Sequence, residues 1–372
     1  MPGLAKFNKV REKPLVLLSP LDWGLGHTTR CIPLIRELIR LNCEVIIACS
    51  PSQKALLEIE FQSLTFSMAP ASPPVYGKNR VLTIVRLLFQ VPKILTLIKR
   101  ENRWLQQFLA HHPVDAIISD NRFGLYAPGI PCIFITHQLQ IKTGLGAAAD
   151  RLAQRINYRF INRFSACWVP DYEASQSLSG KLSYPTVQPA IRITRIGALS
   201  RFETCGNANE RELLIMLSGP EPQRTLLEEK LIGQLKTYSG PAILVRGLPG
   251  NNKLPEVNGN VQVHNHVPAT ELNKMICGAA MVISRCGYTT VMDLMKLKKK
   301  CILIPTPGQA EQEYLAKYLR SRQLAYTTRQ DSFSLVQDLR NAEQFPYRKL
   351  EASMEAFKTH LAKFVESLRA IV

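Results

Sequence analysis

Short runs of aliphatic and β-branched residues alternate along this chain with stretches whose apolar positions recur every three or four residues. Residues 15–18 (LVLL), 44–49 (EVIIAC), 64–68, 116–119 (AIIS), 132–136 (CIFIT) and 167–169 read as buried strands. Residues 33–41 read as a helix with Leu34, Leu38 and Leu41 on one face. Strands separated by helical patterns imply a parallel α/β sheet. The alternation restarts at 213–217 (LLIML) and continues through 242–245, 261–263, 281–283 and 301–304, so a second doubly wound sheet is expected. Between the two, residues 182–200 mix two prolines with a glycine and lack helical periodicity, which puts the interdomain connection near 195–208. The expected organisation is a first domain over 1–199, a second over 200–346, and a terminal helix over 347–372 with Met354, Phe357, Leu361, Phe364 and Leu368 on one face. The carboxyl ends of both sheets should then face a cleft, where open α/β folds bind their ligands.

Composition sharpens this picture in three ways. The 372 residues, 46% hydrophobic, suit two domains of ordinary size. The net charge of +18 is uneven: residues 1–199 hold 24 Lys and Arg against 12 Asp and Glu, and the remainder holds 23 against 17. The basic excess favours an anionic partner such as a phospholipid surface or a diphosphate. No nucleic-acid-binding module is recognisable, and nucleic acid is not expected as a partner. The stretch 80–108 reads as two basic, apolar-faced helices broken at Pro92, a candidate membrane-surface contact. No run of about 18 apolar residues occurs, and the first residues lack the apolar core of a secretory signal, so a cytoplasmic protein is expected. The nine cysteines form no C-x-x-C pair and read as reduced, packed thiols; no spacing argues for a metal site.

The densest chemistry lies in 282–314, VISRCGYTTVMDLMKLKKKCILIPTPGQAEQEY. The apolar run ends in Ser284-Arg285-Cys286-Gly287, where the glycine is free to take positive φ, and a helix restarts at Tyr288 and Thr289. Unpaired amides of that first turn would face a diphosphate, with Arg285 as its clamp. The next strand ends at Pro305-Thr306-Pro307-Gly308, and Gln309, Glu311, Gln312 and Glu313 follow, a cluster suited to a hydroxyl-rich ligand. This order of parts resembles the donor half of the GT-B glycosyltransferases, closest to glycosyltransferase family 28, which includes the bacterial lipid-intermediate N-acetylglucosaminyltransferases. The resemblance implies that Ser284 to Gly287 open the donor helix, that Asp293 holds the ribose diol, and that the Gln-rich loop holds the donor sugar. It also implies that Ser218, Gly219 and Arg224 form a first donor loop and that backbone near Val267 reads the base.

The turn Asp22-Trp23-Gly24-Leu25-Gly26-His27-Thr28-Thr29-Arg30 stands where a dinucleotide-binding sheet keeps its phosphate loop, yet it is not G-x-G-x-x-G. It is similar to the Gly-x-Gly-His turn with which these transferases project a histidine towards the acceptor, although the longer glycine-rich turn of the lipid-intermediate enzyme is shortened here to Gly24-Leu25-Gly26. His27 is the candidate base, as imidazole titrates near neutrality, with an electrostatic or capping role as the alternative. Asp120, at the end of another strand, is a candidate to orient His27 or to bind an acceptor. Gly24, Gly26, Thr28, His137 and Gln138 are expected to line the acceptor side. The D-x-D motif that carries a divalent ion in the other large glycosyltransferase fold is absent.

The expectation is thus an α/β protein of GT-B type, two Rossmann-like domains facing a central cleft. Its activity would be inverting, metal-independent transfer of a sugar, an N-acetylhexosamine, from a UDP-linked donor to an unidentified acceptor, with a lipid-linked or cell-envelope molecule as one option. No cofactor beyond the nucleotide-sugar co-substrate is expected. Two rivals share the fold: a UDP-sugar 2-epimerase using acids such as Asp22 and Asp120, and a sugar-nucleotide-binding protein without turnover.

Overall fold

The computed structural model describes residues 12–72, 89–204, 206, 212–248, 252–351, 353 and 355–370. The first sheet contains β1 (Leu15–Pro20), β2 (Glu44–Cys49), β3 (Thr65–Met68), β4 (Ala116–Asp120), β5 (Cys132–Ile135), β6 (Ala166–Val169) and β7 (Arg192–Arg195). They lie in the order β3-β2-β1-β4-β5-β6-β7, every pairing parallel. Helices α1 (Leu25–Arg40), α2 (Pro51–Glu60), α3 (Val91–His111) and α4 (Ala147–Ile161) connect them. The strands are short, nearly continuous apolar runs because parallel sheets are covered on both faces.

The second sheet repeats the plan. It contains β8 (Glu212–Met216), β9 (Ala242–Val245), β10 (Val261–His264), β11 (Ala279–Arg285), β12 (Cys301–Ile304) and β13 (Tyr326–Thr327), ordered β10-β9-β8-β11-β12-β13 and again parallel throughout. Its helices are α5 (Gln223–Leu235), α6 (Ala269–Gly278), α7 (Tyr288–Lys296), α8 (Ala310–Ser321) and α9 (Leu335–Glu343). The two doubly wound sheets expected from the alternation are both present. In each, strand order reverses between the first and fourth strands, β1/β4 and β8/β11, and those switch points are where a ligand crevice opens.

The last helix, α10 (Ala356–Ala370), packs back on the first domain. Phe357, Leu361, Val365 and Leu368 enter a core cluster shared with Leu34 and Leu38 of α1, each contributing roughly 1.5–3 kcal/mol of burial. Phe364 meets the Trp168 ring edge-on, and Arg369 donates to the Leu41 carbonyl. That cluster runs on through Tyr172, Leu178, Leu182, Tyr288, Met292 and Leu315, so one apolar core crosses from domain to domain.

Three details differ from the sequence reading. Helix α1 begins at Leu25 rather than at 33 and carries Pro33 in its interior. The earlier start puts His27 within the first helical turn. Gly287 has φ −78°, an ordinary extended value, so this glycine does not serve the backbone turn. Cys277 is disulfide-bonded, while the other described cysteines are free and buried. Of the basic stretch 80–108, residues 80–88 lie outside the described residues, as does Met354 of the terminal helix pattern.

Candidate active site

The parallel register sets Asp120 opposite Pro20, so the end of β4 stands level with the end of β1 at the first switch point. Gly24, with φ 107°, takes the left-handed turn that carries the chain into α1. One turn on, His27 Nδ1 lies 3.0 Å from Asp120 Oδ2. Arg30, on the same face of α1, grips that carboxylate with its fork: Nε donates to Oδ2 at 2.9 Å and Nη2 donates to Oδ1. The side chains of Asp120 and Arg30 are 1% and 2% exposed, that of His27 is 18%. Burial disfavours the charge of Asp120, but Arg30 and then His27 outweigh it and hold the carboxyl down at about 2. Burial, followed by the Arg30 charge, pushes the His27 imidazole below its usual range despite Asp120. The ring is therefore neutral near pH 7. An ionised carboxylate only accepts, so Nδ1 carries the proton and Nε2 presents its lone pair at the exposed edge.

A second histidine faces the first domain's partner. His137 Nε2 lies 2.6 Å from Glu311 Oε1, and Gln138 Nε2 donates to the other oxygen of Glu311. Glu311 belongs to α8 of the second domain, so this pair bridges the cleft. Burial opposes its charge, and His137, then His27 and Arg30, overcome that and lower the carboxyl. The His137 ring stacks on Tyr288 with centroids 4.0 Å apart, and Tyr288 donates its hydroxyl to the Pro170 carbonyl. Further along α8, Tyr318 donates to the Ser177 carbonyl and Tyr314 accepts from the Lys181 amide.

Between these bridges the N-termini of α1 and α7 meet. Thr289 Oγ1 donates to the Gly26 carbonyl at 3.1 Å, and a Cβ added to Gly26 would stand 3.2 Å from that hydroxyl. Neither helix has an acidic residue in its own first turn, although Asp120 and Glu311 stand near that of α1. A Cβ on Gly287 would meet nothing closer than Thr290 Oγ1 at 4.0 Å. The loop after β8 leaves Ser218 and Gly219 exposed beside this edge, with Gly219 at φ 103°.

The remaining expected residues divide. Arg285 is buried at the end of β11, where Nη2 donates to the Gln223 carbonyl while Nε and Nη1 have no protein partner; burial alone brings its guanidinium down to about 10. Thr306 Oγ1 is likewise buried and unpartnered. Gln312 accepts from the Thr306 amide and donates to Gln309, and Glu313 accepts from the Gly308 amide, so these side chains brace the loop in front of α8. Val267 is buried between β10 and α6. Others face inward. Thr28, expected on the cleft, is fully buried and accepts from Gln53, because the earlier helix start turns it towards α2. Arg224 is spent on Glu221, Glu228, Thr225 and the Arg246 carbonyl. Ser284 ties β11 to the Met216 carbonyl. Asp293 is buried in the second turn of α7 with Ser200 donating to it, and burial raises its carboxyl to about 6 against the pull of Arg201. Among the described residues no group of His, Cys, Asp and Glu is arranged to hold a metal ion.

Sequence reasoning overlooked Arg30 as the clamp on Asp120 and Ser200 as the partner of Asp293. The spacing of His27 and Arg30, three apart on one helix, was the available signal for the first. Nothing local announces the second.

Two parallel Rossmann-like sheets with their switch points facing one cleft define the GT-B class, and comparison with solved structures agrees. A glycosyltransferase of kitacinnamycin superposes with a TM-score of 0.63 at 18% identity, covering 96% of this chain and 94% of that one. MurG of Acinetobacter baumannii gives 0.53 at 14% identity over 95% and 99%. Residues 247–368 match the model of the glycosyltransferase family 28 C-terminal domain. The chain is 22% identical over 367 residues to UDP-N-acetylglucosamine–N-acetylmuramyl-(pentapeptide) pyrophosphoryl-undecaprenol N-acetylglucosamine transferase of Listeria monocytogenes, covering 93% of this chain and 97% of that protein. An uncharacterized glycosyltransferase of Methanosarcina acetivorans is 23% identical over 345 residues, 84% of each chain. The protein is a GT-B glycosyltransferase, and its C-terminal portion is of the family 28 type.

Proposed function

We propose that this protein transfers a sugar, an N-acetylhexosamine, from a UDP-linked donor to an acceptor hydroxyl with inversion and without a metal ion. The observation that carries this reading is the meeting of the N-termini of α1 and α7, the latter without an acid in its first turn, beside His27. His27 Nε2 takes the acceptor proton as the acceptor oxygen bonds to the anomeric carbon, and the bond from that carbon to the diphosphate oxygen breaks. The departing diphosphate gains negative charge, which the first-turn amides of α7 are placed to meet. Arg285, a buried cation without a carboxylate, and the unpartnered Thr306 hydroxyl support an anion at the same sheet edge. Gln309 and Gln312 remain the assignments for the sugar and the Val267 backbone for the base, while the ribose loses its assigned ligand because Asp293 is buried against Ser200. Of the two acids the 2-epimerase reading would use, Asp120 has both oxygens held, which leaves that reading to Asp22, whose Oδ1 accepts from Ser50.

Gly287→Val tests the donor site. The backbone there suits any residue and a Cβ has room, so the variant should fold with a loss of about 1 kcal/mol for a poor N-cap residue. Calorimetry with a panel of UDP-, GDP- and dTDP-sugars in EDTA should show one UDP-sugar bound by the parent and lost in the variant. Equal binding by both proteins would move the donor away from α7.

The acceptor side carries an apolar and basic surface. On α4, Leu152 (61% exposed) and Ile156 stand among exposed Arg151, Arg155 and Arg159; on α3, Val91 and Leu95 stand among Lys93, Lys99 and Arg100, next to Phe89 (83% exposed). Both helices pack on the same face of the first sheet through Leu105, Tyr158 and Ile161. No helix among the described residues is long and apolar enough to cross a membrane. These features support a cytoplasmic protein that rests on an anionic membrane face and meets a lipid-linked acceptor there. Each basic residue near such a surface contributes about 1 kcal/mol, so Arg151→Glu/Arg155→Glu/Arg159→Glu should weaken sedimentation with anionic vesicles by at least 100-fold. Binding unaffected by the triple change would remove α4 from the contact.

A further inference from the structure

Arg30 has no place in the transfer described above: its hydrogen bonds go to Asp120, and its side chain is 2% exposed. Yet it holds Asp120 more completely than His27 does. The guanidinium takes Oδ1 alone and shares Oδ2 with the imidazole, and the Cys31 thiol approaches Oδ2 at 3.7 Å. A forked guanidinium fixes the plane of a carboxylate, which a single hydrogen bond to a ring cannot do. We propose that Arg30 is the positioning residue of the His27–Asp120 pair, setting which carboxylate oxygen the imidazole meets and keeping the ring a neutral Nδ1–H tautomer with Nε2 free to accept a proton.

The electrostatic logic follows from what surrounds the ring. From α1 comes the Arg30 cation; from β4, the Asp120 anion; from the strand end after β5, His137; from α8, the Glu311 anion, which also faces Arg30. Cys31 stays a neutral thiol, because burial and Asp120 push it well above its usual range. Two carboxylates thus face His27, and unopposed they would favour an imidazolium, which cannot act as a base. Burial is the first opposition to that charge, and the Arg30 cation adds to it. The burial of Arg30 is stabilised by the same fork, so the arrangement is internally consistent only with Asp120 ionised. A base whose imidazole titrates below its usual range is the consequence.

This inference rests on His27 being the base, but its test needs neither donor nor acceptor. The full-length protein labelled with 13C- and 15N-histidine is titrated by NMR, with the His27 resonances assigned from His27→Gln. In the parent, His27 should appear as the neutral Nδ1–H tautomer at pH 7 and titrate below the ordinary value of about 6.5. Arg30→Gln should raise its midpoint by about one pH unit or more, the size of shift a neighbouring charge produces. Arg30→Lys, which keeps the charge but not the fork, should restore the low midpoint and leave the tautomer signals broadened by exchange. An unchanged midpoint in Arg30→Gln would overturn the proposal. Should that variant fail to fold, a parent His27 that titrates at or above 6.5, or carries its proton on Nε2, would overturn it equally. Donor binding that fails while His27 behaves as stated would instead refute the transferase reading and leave the role of Arg30 standing.

Discussion

His27→Ala is expected to lower sugar transfer by roughly 100- to 10,000-fold, the range general-base catalysis contributes, while leaving donor affinity nearly intact. The separation of the two readouts follows from the geometry. The ring touches Asp120 and the cleft, whereas the helix end assigned to the diphosphate belongs to α7, in contact through Thr289 and Gly26 rather than through the imidazole. Transfer can be followed as label moving from a UDP-sugar into an organic-soluble membrane fraction, and affinity by calorimetry. Added imidazole should restore part of the lost rate, since alanine leaves space beside Asp120. Retention of turnover within about tenfold would show that His27 is electrostatic or structural. A parent that binds donor but shows no transfer to any fraction, with the variant indistinguishable from it, would favour a binding protein without turnover.

Much of this fold was legible because parallel α/β architecture writes its strands as short apolar runs. Residues 44–49 and 301–304 were readable to the residue, and the restart at 213 announced a second sheet. The candidate site was half legible. His27 and Asp120 could be named because both follow apolar runs at a sheet edge, and the reversal of order between β1 and β4 makes them neighbours. What stayed hidden depends on closure of one domain on the other. Glu311 reads locally as a sugar ligand in a Gln-rich loop, but its partners are 174 and 173 residues away in the first domain. Asp293 reads as a ribose ligand, and Ser200, 93 residues earlier, takes it at the linker. Thr28 and Arg224 were misplaced for a smaller reason: the start and phase of a helix decide which face a side chain joins, and α1 starts at Leu25 rather than at 33. The glycine of the donor turn was found for the wrong reason too, since Gly287 keeps an ordinary φ and leaves open space instead.

Asp120→Asn should destabilise the protein by roughly 3–5 kcal/mol, because it leaves Arg30 as a buried cation without its counter-ion. Asparagine retains the shape and one acceptor oxygen, so the loss measures charge rather than packing. The parent's dependence on pH has a defined sign. Asp120 titrates at about 2 in the folded protein, against about 3.9 for an unfolded aspartate, so its contribution is complete above about pH 4 and disappears as pH falls towards 2. That contribution is on the order of 2 kcal/mol. Glu311, lowered by His137, shifts stability in the same direction, and so does His27, whose depressed midpoint makes acid protonation unfavourable for the folded state. Asp293, raised to about 6 by burial, acts oppositely and adds stability as pH falls through about 6, a gain complete at about pH 4. Urea unfolding between pH 2 and pH 7 should therefore show the parent's steep loss confined to below about pH 4. In Asp120→Asn the loss over the same range should be shallower by the Asp120 increment. The variant also bears on catalysis, since an amide can offer His27 its N–H and drive the proton to Nε2, closing the nitrogen the acceptor needs. Turnover should then fall by at least 100-fold even at the pH where the variant is most stable. A variant as stable and active as the parent would mean that the buried fork between Arg30 and Asp120 organises neither the first domain nor its histidine.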